Sequence, residues 1–253
     1  MTPPELDRKS ALFLDLDGTL LEIAATPESV VVPPALPELL AHLHHQLAGA
    51  VAIVSGRPLG QIDSLLAPFR ASAAGEHGVS LRFSDGTLEE LPVGVAVPDA
   101  WRDALEHDVQ RWPGVRIETK PHGLAVHYRL APEREAEVWE VVRKLVPADH
   151  PWFRLIPARE AVEIGLRAAS KGDAVERLMA HAPFHGRKPI FIGDDFTDEA
   201  GMSMARRFGG AGLRVAEVFG GDPAQVRAWL THGMERMDGR PPPQSSPSPG
   251  PAP

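Results

Sequence analysis

The chain has 253 residues, 43% of them hydrophobic, a formal charge of −8 and no cysteine. That apolar content supports a substantial core, built either as one large domain or as a core with an insertion, while the acidic balance without a local Lys/Arg cluster excludes a nucleic-acid footprint. The missing cysteines remove disulfides, thiolate catalysis and zinc-thiolate sites, and with no membrane-length apolar run and no secretory signal in MTPPELDRKS the sequence reads as cytoplasmic, with no membrane partner.

The first predicted element is the strand in ALFLDLDGTLL, residues 11–21. Leu12, Phe13 and Leu14 form an apolar run of the kind buried on both faces of a parallel sheet. It ends in Asp15 and Asp17, two apart and therefore on one side of an extended chain, where they can converge on one metal ion. Gly18 lets the backbone turn away from the sheet, and Thr19 adds a hydroxyl. Carboxyl ends of parallel strands are where open α/β sheets bind ligands, although an Asp-Gly turn also occurs without any function.

Leu36, Leu39, Leu40, Leu43 and Leu47 then recur at helical spacing, with His42, His44 and His45 among them reading as solvated surface. AVAIVSGR, residues 50–57, is a second buried strand. Ser55 and Arg57 at its tip are donors suited to phosphate oxygens, or else Ser55 caps a helix around Leu59 to Leu66. A hairpin with an Asp-Gly turn follows in VSLRFSDGTLEEL. His77, just ahead of it, either reaches the cleft or fixes the local turn.

LPVGVAVP, with Pro92 and Pro98, has the composition of a hinge. Beyond it Trp101, Leu105, Val109 and Trp112 predict a helix from about Asp99; VRIETKP and GLAVHYRL predict strands, EREAEVWEVVRKLV a helix, and FRLIP and AVEIGL strands. This α-β-β-α-β-β series is large enough to form a small α+β domain. Ser170 is the expected N-cap of the next helix, and Lys171 behind it opposes the helix dipole unless an anion lies near. KPIFIGDD repeats the opening pattern, and Asp194, Asp195, Asp198 and Glu199 put more acid at this strand-to-helix junction than a cap needs. Two adjacent acidic strand ends suit an oxygen-liking ion such as Mg²⁺. GLRVAEV is a last predicted strand, PAQVRAWL a helix, and the Pro/Ser-rich residues 239–253 a disordered tail.

In order, Asp15-x-Asp17-Gly-Thr, Ser55, Lys171 and Gly193-Asp194-Asp195-x-x-Asp198 resemble the four motifs of the haloacid dehalogenase superfamily. The insertion resembles its type-two cap, and Glu118-Thr-Lys120, His127-Tyr-Arg129 and Val162-Glu163-Ile164 bring the chain closest to the trehalose-6-phosphate phosphatases. The resemblance implies an α/β fold: a Rossmann-like parallel-sheet core over residues 1–97 and 166–238, with an inserted smaller α+β cap domain over residues 98–165. It further implies Mg²⁺ on Asp15, the main-chain carbonyl of Asp17, and Asp194. Asp15 is then the nucleophile and Asp17 the proton carrier, Ser55 and Lys171 hold the phosphoryl group, and Asp195 and Asp198 orient Lys171 and metal-bound water. Glu118, Lys120 and Glu163 would read the sugar, with Arg57 and Arg129 on substrate. The substrate so implied is trehalose 6-phosphate, and a trehalose-6-phosphate synthase is the coupled partner. Sucrose-phosphate phosphatase, a phosphohexomutase and a non-catalytic sugar-phosphate sensor are the alternatives, and Pro98 and the Gly165 region are the expected hinges of the cap.

Overall fold

The computed structural model describes residues 2–91 and 95–239. Pro92 of the expected hinge and the tail beyond Gly239 fall outside the described residues. Strand β1 (Ser10–Leu14) leads through helix α1 (Leu36–Gln46) to β2 (Val51–Val54), and α2 (Leu59–Leu66) leads to β3 (Ser72–Gly75). The hairpin β4 (Ser80–Arg82) and β5 (Leu88–Glu90) follows. The inserted segment comprises α3 (Asp99–Val109), β6 (Arg116–Thr119), β7 (Leu124–His127), α4 (Glu135–Leu145), β8 (Phe153–Ala158) and β9 (Ala161–Leu166). The chain then returns through α5 (Lys171–Met179), β10 (Lys188–Gly193), α6 (Asp198–Arg207), β11 (Ala211–Arg214), α7 (Val215–Val218) and α8 (Pro223–Met237).

The larger sheet has the order β11-β10-β1-β2-β3-β4-β5. Its first five strands are parallel, and β4 and β5 are added antiparallel. β1 therefore lies in the interior of the sheet, and Leu12, Phe13 and Leu14 are fully buried. Their uninterrupted apolar run is what a strand covered by helices on both faces requires. β10 pairs directly with β1, from Ser10 opposite Lys188 to Leu14 opposite Ile192, so the two acidic strand ends emerge side by side.

The smaller sheet, β6-β7-β9-β8, is antiparallel throughout. Leu124, Val126, Val162 and Ile164 on one of its faces share an apolar cluster with Leu105 of α3 and Val138 and Val142 of α4. Alternation along the strands puts their neighbours on the other face. There Glu118, Ala125 and Glu163 stand in register across β6, β7 and β9. A small alanine, Ala125, stands between the two glutamates.

Three sequence expectations change in the structure. GLRVAEV is not one strand: pairing with β10 ends at Arg214, and VAEV is the short helix α7. Helix α2 is capped at Pro58, not Ser55, whose hydroxyl accepts from the Arg57 N–H instead. Gly165, expected at a hinge, lies inside β9 opposite Arg154, where a Cβ would meet Ile156 at 2.8 Å.

Candidate active site

Every site residue named from the sequence lines one cleft, of about 940 Å³ open to solvent, between the carboxyl ends of the parallel strands and the polar face of the smaller sheet. Asp15 directly follows β1, Ser55 follows β2, Asp194 follows β10, and Lys171 opens α5. Ser170 caps that helix by accepting from the Asp173 N–H at 3.1 Å, which fixes where Lys171 starts.

Lys171 donates to Asp15 at 2.7 Å and to Asp198 at 2.6 Å, all three groups being buried. Burial disfavours its charge, but the two carboxylates outweigh burial and hold the ammonium above the usual lysine range. Those anions answer the sequence puzzle of a cation at a helix N-terminus. Asp15 also accepts from the Thr19 hydroxyl at 3.1 Å. Burial first, and then the Asp198 and Asp194 charges, push its carboxyl well above the usual range despite Lys171.

Asp15, Asp194 and Asp198 each offer a carboxylate oxygen within 4.8 Å of the others. Asp194 is pushed up to about 7 by burial, then by Asp198 and Asp195, against Lys171 and Arg159. Three carboxylates repelling one another beside a single ammonium are short of positive charge, and hard oxygen donors of this kind suit Mg²⁺. Two glycines make the approach possible. A Cβ at Gly18, whose φ is +79°, would lie 2.2 Å from Asp194 Oδ2, and one at Gly193 would lie 2.2 Å from Asp198 Cγ. The donor set therefore fits a divalent cation.

Asp17 turns away from this cluster. Its carboxylate takes Arg57 Nε at 2.6 Å and Nη2 at 2.8 Å, so Arg57 is engaged by Asp17 rather than held free for an anion. Asp195 accepts from the Thr197 N–H at 2.6 Å, and its own N–H donates to Asp198 at 3.0 Å. Of the two residues expected to orient Lys171, Asp198 bonds to it, together with Asp15, while Asp195 is engaged by Thr197. Ser55 is buried, and its carbonyl accepts from the His77 N–H at 2.9 Å.

On the facing sheet, Lys120 bridges Glu163 at 2.6 Å and the Gly56 carbonyl at 3.0 Å. His77 Nε2 lies 3.2 Å from the same Glu163 oxygen. Burial would raise the Glu163 carboxyl, but the Lys120 and His77 charges outweigh it and hold the group far below the usual range. Glu118 faces His127 at 3.0 Å and accepts from Gln61 at 3.1 Å. Arg129 donates to Glu160 at 2.7 Å, to the Arg159 carbonyl at 3.0 Å and to the Ala24 carbonyl, tying the smaller sheet to a loop of the larger unit.

The sequence pattern leaves His77 undecided, carries His127 only within His127-Tyr-Arg129 and gives it no role, and marks neither Gln61 nor Arg159, yet all four line the cleft. His77 carried a signal, because Glu76 and His77 both adopt positive φ, 47° and 59°, between two glycines. The GEHG spacing hinted at that special backbone. Gln61 carried none, since a polar residue on a surface helix is ordinary.

A family model described as trehalose-phosphatase matches residues 13–223. The probable trehalose-phosphate phosphatase of Sinorhizobium fredii is 41% identical over 205 residues, 81% of this chain and 77% of its own. The trehalose-6-phosphate phosphatase of Escherichia coli K12 is 36% identical over 231 residues, 91% of this chain and 85% of its own. In fold, the C-terminal domain of a C. albicans trehalose-6-phosphate phosphatase superposes with a TM-score of 0.75 at 19% identity, covering 93% of both chains. With its matched span taking in all the residues that line the cleft, the chain belongs to the trehalose-phosphatase family.

Proposed function

We propose that the protein hydrolyses trehalose 6-phosphate to trehalose and phosphate, using Mg²⁺ and an aspartyl-phosphate formed on Asp15. The observation that carries this proposal is the pairing, across one cleft, of the Asp15–Lys171–Asp198 centre with the Glu118 and Glu163 row. The first is phosphoryl-transfer chemistry, and the second is a set of hydrogen-bonding groups for sugar hydroxyls.

Uncatalysed phosphate-monoester hydrolysis is extremely slow, and an anionic nucleophile must approach an anionic phosphorus. Asp15 and Asp194 would hold the metal, together with the main-chain carbonyl of Asp17, and Asp198, which accepts from Lys171 and from the Asp195 N–H, would stand beside it and orient them. The metal, when bound, supplies neutralisation of carboxylate and phosphate charge and orients in-line attack. Asp15 attacks phosphorus and carries the phosphoryl group. Asp17, held by Arg57, gives a proton to the departing sugar oxygen and then takes one from the hydrolytic water. Lys171 and Ser55 hold phosphoryl oxygens, Lys171 also aligning Asp15 and opposing the burial that disfavours its charge. Glu118, Lys120, His77 and Glu163 read the sugar hydroxyls.

Lys120 donating to the Gly56 carbonyl, and Arg129 donating to the Ala24 carbonyl, hold the smaller sheet down over the centre and exclude water. Residues 98–165 thus act as a cap on a core of residues 1–97 and 166–238. A trehalose-6-phosphate synthase would supply the substrate.

Phosphate release from a panel of sugar phosphates tests the assignment, with and without Mg²⁺ and with Asp15→Asn as control. Trehalose 6-phosphate should be the best substrate, chelator should abolish turnover, and Asp15→Asn should be inactive. Preference for sucrose 6-phosphate would replace the substrate, and equal slow release by wild type and Asp15→Asn would remove the enzyme.

A further inference from the structure

Gln61 stands on α2, between the two halves of the cleft. Its Oε1 accepts from Arg57 Nη1 at 3.2 Å, and its Nε2 donates to Glu118 Oε1 at 3.1 Å. Arg57 turns its other two nitrogens to Asp17, at 2.6 and 2.8 Å, with Nη2 also reaching the Pro27 carbonyl at 3.2 Å. The second oxygen of Glu118 faces His127 Nε2 at 3.0 Å. A continuous chain of hydrogen bonds thus runs from Asp17, beside the nucleophile, to Glu118 on the smaller sheet.

The chemistry of the chain explains the residue. A guanidinium offers only donors and a carboxylate only acceptors, so a side chain bridging them must accept at one end and donate at the other. An amide does that without adding charge. The two neighbours also fix which way the amide points, because the reverse orientation would set its NH₂ against Arg57 and its oxygen against Glu118.

We propose that Gln61 is a positioning residue that couples the sugar-reading Glu118 to the proton-carrying Asp17. When the smaller sheet is seated, Glu118 orders Gln61, Gln61 completes the hydrogen bonding of Arg57, and Arg57 presents Asp17 to the leaving oxygen. When the sheet lifts, Glu118 leaves with it, and the Arg57–Asp17 pair loses that support. Proton transfer is thereby best aligned when the distal sugar site is closed on its ligand. The inference rests on the function proposed above for Asp17 and Glu118.

The decisive test reverses the polarity of the bridge. Gln61→Glu keeps the acceptor for Arg57 but sets two carboxylates against each other. Glu118→Gln in the same chain restores a donor opposite the new acceptor. With trehalose 6-phosphate, each single variant should lose about tenfold or more in kcat/KM, and the double variant should recover at least about fivefold over the product of the two losses. A second readout uses Gln61→Leu, which removes both hydrogen bonds. Its kcat/KM should fall about tenfold on trehalose 6-phosphate and clearly less on p-nitrophenyl phosphate, whose leaving group departs without a proton. Losses that simply multiply in the double variant, or Gln61→Leu losses equal on the two substrates, overturn the coupling. Wild type inactive on trehalose 6-phosphate would instead overturn the proposed function itself, and the inference with it.

Discussion

Gly18→Ala isolates the geometry on which the proposed metal site depends. The substitution adds one methyl at a residue with φ +79°, and that methyl would lie 2.2 Å from Asp194 Oδ2 and 2.4 Å from its Cγ. Two costs follow. The left-handed backbone costs an L-residue about 1–2 kcal/mol, which for a chain of this size lowers Tm by about 2–8 °C. Separately, the Asp194 carboxylate must retreat by on the order of 1 Å to regain van der Waals distance. Mg²⁺ tolerates little error in its coordination distances, so that retreat should raise the Mg²⁺ midpoint at least about tenfold and lower kcat about a hundredfold.

Gly86→Ala separates the two costs. Gly86 has a similar φ of +88° in the β4–β5 turn, and a Cβ there would meet nothing within 4 Å. It should show the Tm loss alone, with activity and Mg²⁺ midpoint unchanged. Phosphate release titrated with Mg²⁺, and thermal melts with and without it, measure both quantities. If Gly18→Ala keeps the wild-type Mg²⁺ midpoint and matches Gly86→Ala in Tm, Asp194 does not hold the metal.

Three further outcomes are expected. Lys171→Met leaves Asp15 and Asp198 facing each other in a buried site without their shared ammonium, which should abolish turnover and cost about 3–5 kcal/mol at pH 8. The deficit should shrink at pH 5.5 as Asp15, whose carboxyl burial holds well above the usual range, takes up a proton, and a deficit independent of pH in thermal melts would refute that account. Glu163→Ala, which frees Lys120 and His77, should cut kcat/KM on trehalose 6-phosphate by about tenfold or more while sparing p-nitrophenyl phosphate; equal losses would sink the sugar-reading role. Asp194, raised to about 7 from an ordinary 3.8, makes the folded metal-free protein hold a proton that the unfolded chain has released. Its contribution to stability is present below about pH 4 and lost as pH rises to about 7. The rise in Tm on adding Mg²⁺ should therefore grow from pH 5.5 to 8, since binding no longer displaces that proton, and a flat or falling response would contradict the assignment.

The amino-acid sequence by itself determined the sheet and its acidic edge. Runs such as Leu12 to Leu14 and Ile190 to Ile192 are apolar at every position, as strands covered on both faces are, and a carboxylate follows each within two residues. Alternation in RIET and AVEIGL likewise set Glu118 and Glu163 opposite the apolar positions of their strands, and Ser170 marked the start of α5. These are local signals, written within a few residues of the atoms they place.

Only the tertiary structure decided how the charges share partners. Asp194, Asp195 and Asp198 look alike in the sequence, yet Asp198 takes Lys171, Asp195 takes Thr197, and Asp194 comes to rest against Gly18. The Arg57–Asp17 pair spans 40 positions of the chain, and Gln61–Glu118 spans 57. Periodicity tells which face a side chain takes, but not which distant carboxylate will lie within 3 Å of it. That depends on how the smaller sheet seats over the larger one, where desolvation penalises a buried charge left without a partner.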